Sequence, residues 1–264
     1  MDKNIIYNAD CLDSVEGMAR LPDNSVDLVL CDLPYGTTEY AWDSVLPLPE
    51  LWVNYKRIIK KNGIIALTCN QPFTSVLGSS NLEMLRYEWL WVKNKTVGFL
   101  TAKKRPLKKH ETILIFSKGV CTNNQFLDSS CFARYNPQGV VVSNKKLKSK
   151  KLVKSAVFTA RGNMNKEYTQ EYTKYPSSVL EFDCVKGKQL HPTQKPVALF
   201  EYLIKTYTNE GDTVLDNCMG SGTTAIACMR TGRNYIGWEK DSDYYKIIQD
   251  RIQKEIECFS LFNK

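Results

Sequence analysis

Apolar residues occur along this chain in two alternating patterns, short solid runs and stripes at helical spacing. Ile5-Ile6-Tyr7 is a short run that ends in the polar Asn8-Ala9-Asp10. Ser25-Val26-Asp27-Leu28-Val29-Leu30-Cys31 is nearly all apolar and stops at Asp32, the pattern of a strand covered on both faces. Between Leu48 and Ile59, the positions Leu51, Trp52, Tyr55, Ile58 and Ile59 share one helical face, with Asn62-Gly63 as the expected stop. Ile64–Leu67, Trp89–Val92 and Thr112–Phe116 predict three more strands. Regularity lapses from 119 to 190, where Lys145–Lys151 reads as a loop, and returns at Pro196. Val197, Phe200, Leu203, Ile204 and Tyr207 form one helical face that Gly211 should end. Thr213-Val214-Leu215 then predicts a strand, Ala225–Met229 a helix ending near Gly232, Asn234–Trp238 a strand ending at Glu239, and Asp243–Ile256 a last amphipathic helix. Strands alternating with helices predict an α/β fold, a mostly parallel sheet with helices on both faces, interrupted by one irregular insertion.

Composition narrows this picture. A chain of 264 residues, 43% apolar, can bury one sizeable domain with an inserted lobe. No apolar run approaches the ~18–20 residues that span a bilayer, and Met1-Asp2-Lys3-Asn4 lacks the layout of a signal peptide. The expectation is a soluble, cytoplasmic protein without a membrane partner. Nine cysteines, at 11, 31, 69, 121, 131, 184, 218, 228 and 258, include no C-x-x-C pair, and only two histidines, His110 and His191, accompany them. They are expected to be reduced, small apolar residues, with no metal site. Charge is uneven. From Lys103 to Glu167, 15 Lys and Arg face three acids, a net +12, so that the rest of this +8 chain carries −4. A basic lobe on a nearly neutral body suggests a polyanion partner.

Two strand ends carry candidate chemistry. In Val214-Leu215-Asp216-Asn217-Cys218-Met219-Gly220-Ser221-Gly222-Thr223-Thr224, a strand delivers Asp216 to a turn that Gly220 and Gly222 make tight. Ser221, Thr223 or Thr224 can cap the helix that follows, whose N-terminus suits an anionic ligand group. The next strand ends at Glu239, placed to accept hydrogen bonds from a ribose diol. This unit suits an adenosine-containing cofactor and does not by itself separate S-adenosylmethionine from a nicotinamide dinucleotide. The other end is Asp32-Leu33-Pro34-Tyr35.

That tetrapeptide resembles the Asp-Pro-Pro-Tyr signature of DNA methyltransferases that modify exocyclic amino groups. The chemistry asks for these groups. An adenine N6 lone pair is delocalised into the ring; two acceptors on its hydrogens, the Asp32 carboxylate and the Leu33 carbonyl, would localise it and stabilise the growing positive charge. Pro34 biases Leu33 to an extended conformation that aims its carbonyl, and Tyr35 offers a ring on which a flipped base could stack. Leu33 stands where the family more often has Pro, and Asn217-Cys218 where it has Pro-Phe. Leu21-Pro22-Asp23-Asn24-Ser25-Val26-Asp27, Arg105-Pro106, His110-Glu111 and His191-Pro192-Thr193-Gln194-Lys195-Pro196 also resemble family segments, over roughly residues 4–118 and 189–250.

The order, catalytic motif before cofactor motif, is that of the permuted beta-type members. The resemblance implies a Rossmann-like S-adenosylmethionine-dependent methyltransferase: residues 1–118 as the catalytic half, 119–190 as a basic target-recognition insertion, and 191–264 as the cofactor half. It implies catalysis by Asp32, Leu33, Pro34 and Tyr35. Cofactor contacts would fall to Asp10, Cys11, His191, Thr193, Lys195, Asp216, Cys218, Gly220, Ser221, Gly222, Thr223, Glu239 and Lys240. Asp rather than Ser at position 32 favours adenine N6 over cytosine N4. Neither His110 nor His191 is needed as a general base, since the amino proton can leave to water. The partner is double-stranded DNA, gripped by the lysine runs and read by residues among Gln125, Asn136, Gln138, Asn144, Arg161 and Asn163, with Tyr40 and Trp42 on a loop that could close over the base. A homodimer and a companion restriction endonuclease are further expectations of such a protein. A nicotinamide-dependent oxidoreductase would leave Asp32–Tyr35 and the basic lobe without a purpose, and a DNA-binding relative without catalysis would not need Asp32.

Overall fold

The computed structural model describes residues 1–36, 44–122, 128–148, 167–185, 187, 190, 191 and 193–262. It forms two compact units, residues 1–136 with 178–264, and residues 137–177. The first is built on an eight-stranded sheet. In chain order its strands and helices are β1 (Ile5–Tyr7), β2 (Val26–Asp32), α1 (Leu48–Ile58), β3 (Ile59–Cys69), α2 (Phe73–Ser79), β4 (Leu85–Val97) and β5 (Lys108–Phe116). The second unit contributes β6 (Val141–Lys148) and β7 (Glu167–Thr173). The first unit then resumes with β8 (Val179–Glu181), α3 (Val197–Tyr207), β9 (Thr213–Asp216), α4 (Thr223–Thr231), β10 (Asn234–Trp238) and α5 (Ser242–Phe262).

The sheet order is β1-β10-β9-β2-β3-β5-β4-β8, and every neighbouring pair is parallel except those made by β5. β2 and β9 lie side by side, with Leu28 opposite Val214 and Val29 opposite Leu215. Two strands distant in sequence therefore bring Asp32 and Asp216 to one carboxyl edge, where strand order reverses and open α/β sheets bind ligands.

Both faces are covered, which explains the solid apolar runs. Along β2, Val29 and Cys31 enter one core with Leu51, Tyr55 and Ile58 of α1 and Phe73 of α2; Leu28 and Leu30 enter the other with Leu199, Leu203 and Ile204 of α3 and Ala225 of α4. Each fully buried side chain of this size contributes about 1.5–3 kcal/mol.

Three expectations are corrected. Asn62-Gly63 is no helix stop: α1 ends at Ile58 and the chain passes directly into β3, where the β2–β3 register shifts between Val26 and Leu28. A Cβ at Gly63 would lie 2.9 Å from the Asp27 carbonyl oxygen, so the glycine permits close strand approach. Lys145–Lys148 belong to a strand, paired antiparallel with β7 through Lys145 to Gln170 and Lys148 to Glu167. Ser221, Thr223 and Thr224 do not cap α4; its N-cap is Gly222 at φ +78°, with no side-chain cap. Residues 119–136 and 178–190 group with the first unit, β8 extending its sheet beside β4.

Candidate active site

Asp32 ends β2, and its neighbours come from three separate segments. Its Oδ1 accepts a hydrogen bond of 2.6 Å from the Tyr35 hydroxyl and another from the Thr68 hydroxyl, at the end of β3; the two hydroxyls are 2.9 Å apart. Its Oδ2 accepts from Lys195 Nζ at 2.5 Å. Lys195 is 5% exposed, and its ammonium also lies 3.4 Å from Glu111 Oε2 on β5, while Glu111 Oε1 pairs with Lys93 of β4. A chain of alternating charge, Asp32–Lys195–Glu111–Lys93, thus runs across the sheet edge. Burial by itself would raise the Glu111 carboxyl, but Lys195 and Lys93 outweigh it and hold the group at about 2. Burial would likewise lower Lys195, but Asp32 and Glu111 outweigh it and raise the ammonium above its ordinary value. Burial, helped by the Asp32 and Glu111 charges, pushes the Tyr35 phenol well above its usual range, so it stays a neutral donor. The Tyr35 ring stacks on Phe73 with centroids 5.6 Å apart. The Leu33 side chain is buried in the core, fixing the backbone at this turn.

The Gly turn after β9 is shaped by Asp216, whose Oδ1 accepts from the Cys218 amide at 3.0 Å and whose Oδ2 accepts from the Thr224 hydroxyl. Burial raises Asp216 to about 6. Gly220 at φ +53° and Gly222 at φ +78° complete the turn. Ser221 is buried, and Arg251 of α5 donates to its carbonyl at 2.8 Å; the Thr223 hydroxyl donates to the Lys195 carbonyl at 3.3 Å. Beyond β10, Glu239 accepts from the Gly220 amide at 2.7 Å and the Asp241 amide at 2.9 Å, yet burial still raises its carboxyl to about 7. Beside it, Asp10 pairs with Lys240 at 2.9 Å. Cys11 and Cys218 face the Asn217 amide at 3.6 and 3.4 Å, and Tyr55 donates to the Asn217 carbonyl oxygen at 2.5 Å. Asn217 is therefore a buried strut, which accounts for an amide where the family pattern has a proline.

The segment 191–195 joins the two ends. The His191 ring lies over Gly220, at 3.7 Å from the position of a Cβ there, and packs on Tyr244 at 4.4 Å between centroids. Its Nδ1 accepts from the Thr193 amide at 3.2 Å, so the neutral ring carries its hydrogen on Nε2; burial lowers its pKa, keeping it neutral. The Lys195 side chain reaches Asp32, while its backbone carbonyl meets Thr223 of the cofactor turn.

Sequence reasoning missed Thr68 and Lys93, and placed Glu111 only as a family-like residue. The signal available was a single acid directly before the apolar run Thr112–Phe116. Among the residues proposed to read bases, Asn136 is turned to the protein, donating to the Thr208 carbonyl at 3.1 Å. Asn144 lies in β6 at φ +48°. Gln125, Arg161, Asn163, Tyr40, Trp42 and Pro192 lie outside the described residues. Among the described residues no group of His, Cys, Asp or Glu could hold a metal ion, and no helix is long and apolar enough to cross a membrane.

The profile of the N6/N4 methyltransferase family, described as DNA methylase, matches residues 26–250. The type II methyltransferase M1.MboII of Moraxella bovis is 30% identical, over 92% of this chain and 94% of its own. The DNA adenine methyltransferase YhdJ of Escherichia coli is 29% identical, over 93% and 81%. The crystal structure of the M1.HpyAVI–SAM complex superposes with a TM-score of 0.58 at 25% identity, covering 93% of this chain and 98% of that one. The cytosine-N4-specific PvuII DNA methyltransferase, at 15% identity and a TM-score of 0.61, shares the fold. A profile match spanning both strand ends and the segment that joins them establishes that this chain belongs to the N6/N4 DNA methylase family.

Proposed function

We propose that this protein transfers a methyl group from S-adenosylmethionine to the exocyclic N6 of an adenine flipped out of double-stranded DNA at a specific sequence. The observation that carries the reading is the adjacency of β2 and β9. It sets the Asp32 carboxylate, ion-paired with Lys195, beside the Gly220–Thr223 turn and the Glu239 acid.

The residues fit the cofactor. Glu239 is a half-buried carboxylate with two backbone donors, yet its pKa stays raised; a vicinal diol brings the further donors that such a group lacks. Glu239 would hold the ribose, Asp10 and Cys11 the adenine, and the turn before α4 the carboxylate end, at a helix N-terminus. When bound, the cofactor supplies an electrophilic methyl on a sulfonium sulfur.

Asp32 and the Leu33 carbonyl would accept the two amino hydrogens of the base, localising the nitrogen lone pair. Lys195, Tyr35 and Thr68 fix the carboxylate so that little reorganisation is needed. The amino proton leaves to water. His191 stays neutral beside the turn and orients it.

The choice of adenine rests on Asp at position 32 and on the adenine methyltransferase among the relatives. The type II names of other relatives support a companion restriction endonuclease acting on the same unmethylated site, with the work done on cellular DNA in the cytoplasm. The homodimer expected from sequence is read by sedimentation. The reaction is tested by incubating the protein with S-adenosylmethionine and unmethylated DNA, digesting to nucleosides and weighing the products. N6-methyladenine is expected. N4-methylcytosine would overturn the base, and no methylated nucleoside despite measured cofactor binding would overturn the reaction.

A further inference from the structure

The β4–β5 hairpin is a second feature of the carboxyl edge. Asp32 is level with Thr68, Thr68 with Ile113, and Ile113 with Trp89, and from that level β4 runs outward. Pairing continues to Val97 opposite Lys108, so at ~3.3 Å per residue the hairpin stands roughly 20–25 Å beyond Asp32. Its tip is a built turn. Gly98, at φ +97°, starts a short 3-10 segment from Phe99 to Thr101. The Gly98 carbonyl accepts from the Thr101 amide at 3.0 Å, and the Thr101 carbonyl accepts from the Lys104 and Arg105 amides at 2.8 and 3.0 Å. Arg105 Nε donates to the Thr101 hydroxyl at 2.9 Å.

This ordered tip holds its apolar side chains in solvent: Phe99 is 68% exposed, Leu100 104% and Val97 47%. The collar is uniformly cationic. From Lys93 to His110 there are seven Lys and Arg and no acid. At its root, Lys93 and Glu111 belong to the charge chain that ends on Asp32.

We propose that this hairpin is a wedge for double-stranded DNA. Its lysines and Arg105 seat on phosphates of the duplex, and Phe99 with Leu100 enters the base stack at the step that loses the flipped nucleotide. An exposed apolar pair ringed only by positive charge suits a partner with an anionic rim and an apolar interior, and a base step is such a partner. The occupied gap blocks return of the base, favouring the extrahelical state at Asp32. The proposal rests on the methyltransferase reading given above.

The test compares wild type with the double variant Phe99→Ala/Leu100→Ala. Both positions are solvent-exposed, so folding should be preserved; cofactor affinity by calorimetry and the melting temperature check this. The recognised site is first mapped in genomic DNA methylated by the wild-type protein. Single-turnover methylation is then measured on a duplex with that site fully paired, and on the same duplex with an abasic position opposite the target. The variant should be slowed roughly tenfold or more on the paired duplex and recover to within about threefold of wild type on the abasic one, where the base is already unstacked. Phe99→Trp, which keeps a wedge, should retain the paired-duplex rate. Equal slowing on both duplexes, or none on either, would overturn the wedge. So would a change from dimer to monomer in sedimentation that accounts for the slowing, which would make a second copy of the chain the occupant. A wild-type protein inert on every DNA would instead overturn the methyltransferase reading.

Discussion

Replacing Lys195 by Met removes the charge between two carboxylates and keeps an unbranched chain in the same space. In the native protein Glu111 is held at about 2 against an ordinary 4.5, a difference worth ~3 kcal/mol of stability at neutral pH. Lys93 supplies part of that, so Lys195→Met forfeits a share of the Glu111 contribution. It also leaves Asp32 held only by the Tyr35 and Thr68 hydroxyls. Breaking a buried pair typically costs about 3–5 kcal/mol, and the remaining Lys93 partner places this variant near the lower end. The sign of the pH dependence follows. A depressed carboxyl pKa gives stability that is present above 4.5 and is lost as pH falls toward 2. The gap between wild type and variant in urea unfolding should therefore be about 3 kcal/mol at pH 7 and narrow as pH is lowered from 4.5 toward 3. Adding Glu111→Gln should recover much of the stability, since one carboxylate no longer needs a partner, without restoring methylation. A gap under about 1 kcal/mol at pH 7, or one that does not change below pH 4.5, would refute the assignment of a coupled buried charge chain.

Glu239→Gln should weaken S-adenosylmethionine binding about 10–100-fold by calorimetry, as expected for losing charge-assisted hydrogen bonds. With the wild-type carboxyl at about 7, its affinity should rise from pH 6 to 8 while the variant's stays flat. Tyr35→Phe removes the donor to Asp32 but keeps the stack on Phe73; kcat should fall roughly 3–10-fold with KM for DNA unchanged, and a loss beyond 1000-fold would give the hydroxyl a direct chemical part. Gly222→Ala forces a Cβ to 2.9 Å from Ile248 Cγ2 at φ +78°, costing about 1–3 kcal/mol; differential scanning calorimetry should show the melting temperature lowered by several degrees.

Much of the first unit was legible because its strands and helices bury whole faces. β2 and β3 read as solid apolar runs, since both of their faces meet cores, and α1 and α3 each show one continuous stripe. The second unit was not legible. In β6 and β7 the side chains are mostly exposed or half-exposed, so no alternation marks the lysine-bearing strand from a loop. The helix α2 has seven residues and β8 three, too short for a period to register. At the site, local motifs were readable and their partners were not. Asp32–Tyr35 and the Gly220–Gly222 turn are contiguous, whereas Lys195 reaches Asp32 across 163 positions of sequence. Lys195 stands in the same segment as His191, whose ring lies over Gly220, and only the fold shows that the Lys195 ammonium turns to Asp32.

The central claim is that the Asp32 carboxylate performs the chemistry beside a separate cofactor site. The direct measurement is single-turnover methylation by wild type and Asp32→Ala, with S-adenosylmethionine affinity measured on the same preparations. A fall of roughly 1000-fold or more in methyl transfer, with cofactor affinity within a few-fold of wild type, is the predicted result. Methyl transfer in Asp32→Ala within tenfold of wild type would contradict it.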